Sequence, residues 1–131
     1  MITVDTHVII WDALSPEKLT SKARKAIEIA NQTDGIFFCE ISLWEIAMLL
    51  TKKRIEIDVP YLEFIGLVST SNKYIFHGIT PEVAELSTQF LSEINLDPAD
   101  RIIGATSIIT KASLVTADNH LRKSKKIKTI W

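Results

Sequence analysis

Two periods alternate along this chain of 131 residues. Ile2-Thr3-Val4 is a short β-branched run ending at Asp5-Thr6, and predicts a buried first strand. From Leu19 to Ala30 the period changes: Leu19, Ala23, Ala26, Ile27 and Ala30 recur at helical spacing. Lys18, Lys22, Lys25 and Glu28 cover the other side, as on a surface helix. Asp34-Gly35 signals a turn, and Ile36 to Cys39 reads as a second strand. Ser42 stands three residues before Glu45, the spacing of a capping box, ahead of Ile46, Ala47, Leu49 and Leu50. A further helix is expected around Tyr61 to Val68 and a strand at Tyr74 to Phe76. Thr80-Pro81-Glu82 opens a helix whose apolar face is Val83, Leu86, Phe90 and Ile94. Asp97-Pro98-Ala99-Asp100 opens another, followed by Ile102, Ile103, Ala105, Thr106 and Ile109. Ser113 to Thr116 is a strand running to Asp118, and Ile127 to Ile130 is the last. Strands separated by helices cannot pair as hairpins. The expected fold is α/β: one domain over residues 1–131, with a central, mostly parallel sheet of four to five strands and helices on both faces.

Composition narrows the function. Fifteen basic residues balance sixteen acidic ones, giving a net charge of −1 and excluding a polycationic nucleic-acid glove. Any RNA or DNA contact must come from local clusters. Cys39 is the only cysteine, so neither an intrachain disulfide nor a cysteine-based zinc site can form, and in its apolar strand it reads as core. Asp5 interrupts the start too early for a signal peptide, and no apolar run approaches the ~18 residues of a membrane span. The expectation is a soluble protein of a reducing compartment, the cytoplasm, with no membrane partner.

Four carboxylates share a topological position. Asp5 closes the first strand, and Asp118 follows the strand at Leu114 to Thr116. Glu45 and Asp100 fall in the first turns of the helices after Ser42 and Pro98. In an open parallel sheet these strand ends and helix starts gather along one edge, where ligands bind. Taken singly, each has an ordinary reading. Acids suit a first helical turn, and Asp118 suits a cap. Asp5 is harder to dismiss, because a carboxylate at the end of a buried strand needs a partner or a cation. Together, carboxylates sharing one cleft repel one another, and a hard divalent cation such as Mg²⁺ or Mn²⁺ is the usual remedy.

Val4-Asp5-Thr6-His7-Val8-Ile9-Ile10-Trp11, Ile41-Ser42-Leu43-Trp44-Glu45-Ile46-Ala47, Asp97 to Thr106 and Leu114-Val115-Thr116-Ala117-Asp118 occur in that order. This set resembles the PIN-domain family, specifically the VapC-type ribonuclease toxins of prokaryotic toxin–antitoxin pairs, from Ile2 to the terminal Ile130-Trp131. The resemblance implies Mg²⁺- or Mn²⁺-dependent RNA cleavage at Asp5, Glu45, Asp100 and Asp118, with Asp97 as a supporting acid. It also implies an antitoxin partner and a homodimer, which the 47% apolar content and three tryptophans of so small a chain favour independently. Asn95-Leu96 departs from the family, where a histidine followed by a polar or small residue is common, and Phe38-Cys39-Glu40 is also atypical.

In that chemistry Asp5 and Asp100 are the first choice for the principal metal. Glu45 orients or deprotonates the attacking water, and Asp118 completes a second metal position. Thr6 and Thr116 are placed to bond carboxylates or phosphate. His7, His77 and His120 lack metal-ligand spacing and read as structural or surface histidines. Trp44 and Trp11 read as core or dimer interface rather than base-stacking platforms. For RNA the candidates are Lys52 and Lys53, Arg101, and the run Arg122-Lys123-Lys125-Lys126-Lys128, each weighed against a solvated surface or an ion pair. A non-catalytic module using its acidic edge for a protein partner competes with the nuclease. A phosphatase-like α/β domain fits poorly, since no second aspartate stands two residues after Asp5.

Overall fold

A computed structural model describes residues 1–90 and 97–131, so Ile94 and Asn95-Leu96 lie outside the described residues. Five strands, β1 (Ile2–Val4), β2 (Ile36–Cys39), β3 (Tyr74–His77), β4 (Ser113–Val115) and β5 (Thr129–Ile130), form one sheet. Their order is β3-β2-β1-β4-β5, and every pairing is parallel. β1 therefore lies in the middle, and all three of its residues are buried. Ile2 and Val4 join Ile36, Phe38, Val8, Ile27 and Phe64 in one apolar cluster. The neighbours Cys39 and Leu114 join Ile103, Val83, Phe90 and Leu121 in a second. Successive strand residues thus feed two cores, one on each face, as a sheet covered by helices on both sides requires.

The helices are α1 (Thr6–Leu14), α2 (Ser21–Gln32), α3 (Ile41–Thr51), α4 (Tyr61–Ser71), α5 (Pro81–Ser87), α6 (Pro98–Thr110) and α7 (Asn119–Lys123). The expected helix at Leu19 starts two residues later, because the Thr20 hydroxyl caps it by accepting from the Ala23 amide at 3.1 Å. Two helices escaped the sequence. In α1 the run Val8, Ile9 and Ile10 is buried throughout, so it has no polar side to reveal a helical period. The other, α7, is only five residues long.

The capping box at Ser42 does not form. α3 already starts at Ile41, with Glu40 at the cap and no side-chain cap bond, so Glu45 is the fifth helical residue rather than one of the first turn. Trp44 is 56% exposed, which removes it from the core. No described helix is long and apolar enough to cross a membrane.

The order of strands places the functional edge. After β1 the chain builds outward through β2 to β3, then crosses to β4 on the other side of β1. The carboxyl ends of β1 and β4 therefore flank the point where the winding reverses, where a crevice opens in such sheets.

Candidate functional site

Asp5 ends β1 and caps α1. Its Oδ1 accepts from the Thr6 amide at 2.7 Å, and its Oδ2 accepts from the Thr116 hydroxyl at 2.7 Å. Only 4% of Asp5 is exposed. Thr116, just past β4, also accepts from the Asp118 amide at 3.0 Å. The hydroxyl is thereby oriented: its oxygen faces Asp118 and its proton faces Asp5. Asp118 caps α7, its Oδ1 accepting from His120 at 2.8 Å and Leu121 at 3.0 Å. Both the cap reading and the cleft reading of Asp118 hold at once.

From the other side, Thr6 donates its hydroxyl proton to Glu45 Oε1 and lies 2.8 Å from the Ser42 hydroxyl. Asp97 caps α6 through the Ala99 amide at 2.9 Å, and Pro98 occupies the first helical position. Asp100 follows in the first turn. No hydrogen-bond donor reaches its carboxylate among the described residues.

Asp5, Glu45, Asp97, Asp100 and Asp118 line one cleft of about 330 Å³. Its electrostatics are unfavourable by construction. Burial, then the charge of Asp5 and its acidic neighbours, pushes Asp100 up to about 8. Burial also raises Asp5, against the Thr116 hydrogen bond and the nearby His7 charge. Glu45 rises for the same first reason, against its bond from Thr6. Cys39, by contrast, is pushed up to about 12 by burial and is a core thiol.

The donor set consists of hard carboxylate oxygens, the chemistry of Mg²⁺ or Mn²⁺. Among the described residues no three acidic, histidine or cysteine side chains converge closely enough to ligate one ion directly. Mg²⁺ takes one or two carboxylates and keeps several waters, so the residues that would hold it here are a pair such as Asp5 and Asp100.

Two cleft residues were missed in the sequence: His7 and Trp11, which also line it. Their rings lie 5.8 Å apart, and Trp11 is 5.8 Å from Trp131. They are four residues apart on α1, so the signal was a helical spacing inside a helix the pattern did not reveal. His77 and His120 lie elsewhere. So do Arg101, Lys52, Lys53, Arg122 and Lys123, none of which lines the cleft. Lys52 ends α3, and Arg122 and Lys123 end α7 beyond Asp118.

Against known proteins, a family model described as PIN domain matches residues 2–127. The chain is 34% identical to Ribonuclease VapC22 of Mycobacterium tuberculosis over 132 aligned residues, covering 99% of this chain and 98% of the relative. Among solved structures, VapBC2 from Rickettsia felis bound to a promoter DNA fragment shares the fold with a TM-score of 0.70 at 13% identity, covering 98% of this chain and 97% of the other. The sarcin-ricin loop cleaving toxin VapC20 of M. tuberculosis has a TM-score of 0.67 at 16% identity, with 98% of each chain covered. The parallel five-stranded sheet, the crevice at its winding reversal and these matches agree, and the chain belongs to the PIN domain family.

Proposed function

We propose that this chain is a divalent-metal-dependent endoribonuclease and the toxin of a toxin–antitoxin pair, acting in the cytoplasm. The observation that carries the reading is the convergence of five carboxylates in one cleft at the sheet's winding reversal. Acids this crowded lower the stability of the chain, and a binding surface for a protein partner would not need them so buried.

Asp5 and Asp100 would hold the principal Mg²⁺ or Mn²⁺, with Asp118 at a second metal position and Asp97 supporting them. The bound ion supplies a water acidic enough to attack and a positive charge for the phosphoryl oxygen. The rest falls to the chain's own groups. Thr116 and the Thr6 amide fix both oxygens of Asp5, so this carboxylate does not swing when substrate arrives. Glu45 is held by one oxygen to Thr6, which leaves the other to orient an attacking water and accept its proton. Burial brings Glu45 closer to the working pH of a general base. Arg101, Lys52, Lys53, Arg122 and Lys123 stand outside the cleft and serve the RNA backbone rather than the reacting phosphate.

Structural neighbours that are toxin–antitoxin assemblies support the antitoxin partner. Exposed apolar side chains on α3, edge strand β3 and the following loop, namely Trp44, Ile75, Phe76 and Ile79, support a homodimer. The test is cleavage of a structured RNA by purified chain. It should proceed with Mg²⁺ or Mn²⁺ and stop with excess chelator. Cleavage that survives chelation contradicts the metal mechanism, and no cleavage under any metal favours the non-catalytic module.

A further inference from the structure

A second pocket, of about 310 Å³, opens at the opposite edge of the sheet, where Lys111, Lys126 and Lys128 converge beside Ser107 and Ser113. Lys111 ends α6 in left-handed backbone, with φ 56°. A cation suits a helix carboxyl end, which accounts for Lys111. It does not account for Lys128, which arrives with Lys126 from the loop before β5. Neither Lys111 nor Lys128 has a carboxylate within ion-pair distance among the described residues. The ammonium of Lys126 lies 5.8 Å from the centre of the Phe90 ring.

Topology joins this pocket to the cleft. β4 and β5 are parallel, so the segment between them must travel back from the carboxyl edge to the amino edge. It leaves from Asp118 in the cleft, carries the exposed Arg122, Lys123 and Lys125, and ends at Lys126 and Lys128 in the pocket. Along α6 the two sites stand eleven residues apart, from Asp100 to Lys111, about 16 Å at helical rise.

We propose that this pocket is a distal phosphate subsite for the RNA strand, reached along the basic return segment. The inference rests on the nuclease reading. An acidic cleft repels the backbone it must cut, so the affinity for a polyanion has to come from elsewhere on the chain. At an axial rise of about 3.4 Å per nucleotide in a stacked strand, 16 Å corresponds to about five nucleotides beyond the scissile bond. Longer RNA therefore gains contacts that a shorter one cannot make.

The experiment compares RNAs of about four and about twenty nucleotides that share one cleavage site. Wild type should favour the long RNA about tenfold in kcat/KM. The triple variant Lys111→Gln, Lys126→Gln, Lys128→Gln should lose most of that preference. Binding of the long RNA to Asp5→Asn, measured by fluorescence anisotropy, should weaken with salt along a slope that the three substitutions make shallower by about 2. Each single substitution should give about a third of the change, which guards against a misfolded triple variant. Unchanged length preference and salt slope overturn the subsite while leaving the nuclease reading intact. Equal losses on short and long RNA also overturn it, because a distal contact cannot act on a strand that does not reach it. If Asp5→Asn binds RNA with this length dependence but wild type cleaves none, the nuclease reading fails and the subsite stands.

Discussion

The two edges of this sheet are built by opposite rules. At the amino edge beside β1 and β2 the local requirements are met. Gly35 takes the turn into β2 at φ 100°, where a Cβ would meet the Lys73 carbonyl oxygen at 2.8 Å. The Gly35 amide bonds to Ala30 at 2.8 Å, and the N-terminal ammonium pairs with Asp34 at 3.7 Å. At the carboxyl edge, five acids crowd a cleft, and burial followed by the charge of its acidic neighbours pushes Asp100 up to about 8. That part of the amino edge is arranged for folding. The carboxyl edge works against folding, and such conflicts concentrate where a ligand resolves them.

The comparison breaks first if the acids prove dispensable. Asp5→Asn keeps the shape and the α1 cap but removes the charge that a cation needs. It should lower the RNA cleavage rate by about a hundredfold or more, with Asp100→Asn similar. Single-turnover assays check this, and a variant within about threefold of wild type would remove its residue from the site. At the amino edge the readout is stability. Gly35→Ala forces a Cβ into a positive-φ turn against a carbonyl and should cost about 1–3 kcal/mol, measured by urea unfolding, with cleavage unaffected under folding conditions.

Much of this contrast was legible in the sequence. All five strands lie where the apolar runs placed them, because β-branched residues between turn signals leave few alternatives. The capping motif at Asp97-Pro98 marked the start of α6 correctly. Asp5, Asp100 and Asp118 reach one cleft as their strand-end and helix-start positions imply, and Glu45 reaches it from the fifth position of α3 rather than its first turn. What escaped was decided by tertiary contacts. Ser42 has the spacing of a cap, yet it sits inside α3 and its hydroxyl faces Thr6 across the cleft wall. Because α1 is buried along Val8 to Ile10 it shows no amphipathic period, and the shared face of His7 and Trp11 was hidden with it. The basic pocket joins residues from two segments, which no linear pattern displays.

The smallest of these effects is also the most direct test, because it reads charge crowding and its relief in one protein. Asp100 titrates at about 8 when folded against 3.8 as an ordinary aspartate, so the folded chain holds this proton more tightly. The stability this gives is fully present below about pH 3.8 and is lost as pH rises through about 8. Metal-free wild type should therefore melt lower near pH 8 than near pH 5, and Asp100→Asn should melt a few degrees above it near pH 8. Adding millimolar Mg²⁺ near pH 8 should then raise the wild-type melting temperature and do much less for Asp100→Asn. If metal-free Asp100→Asn melts below wild type, or if Mg²⁺ raises both proteins equally, Asp100 is a structural residue and the cleft is not the cation site.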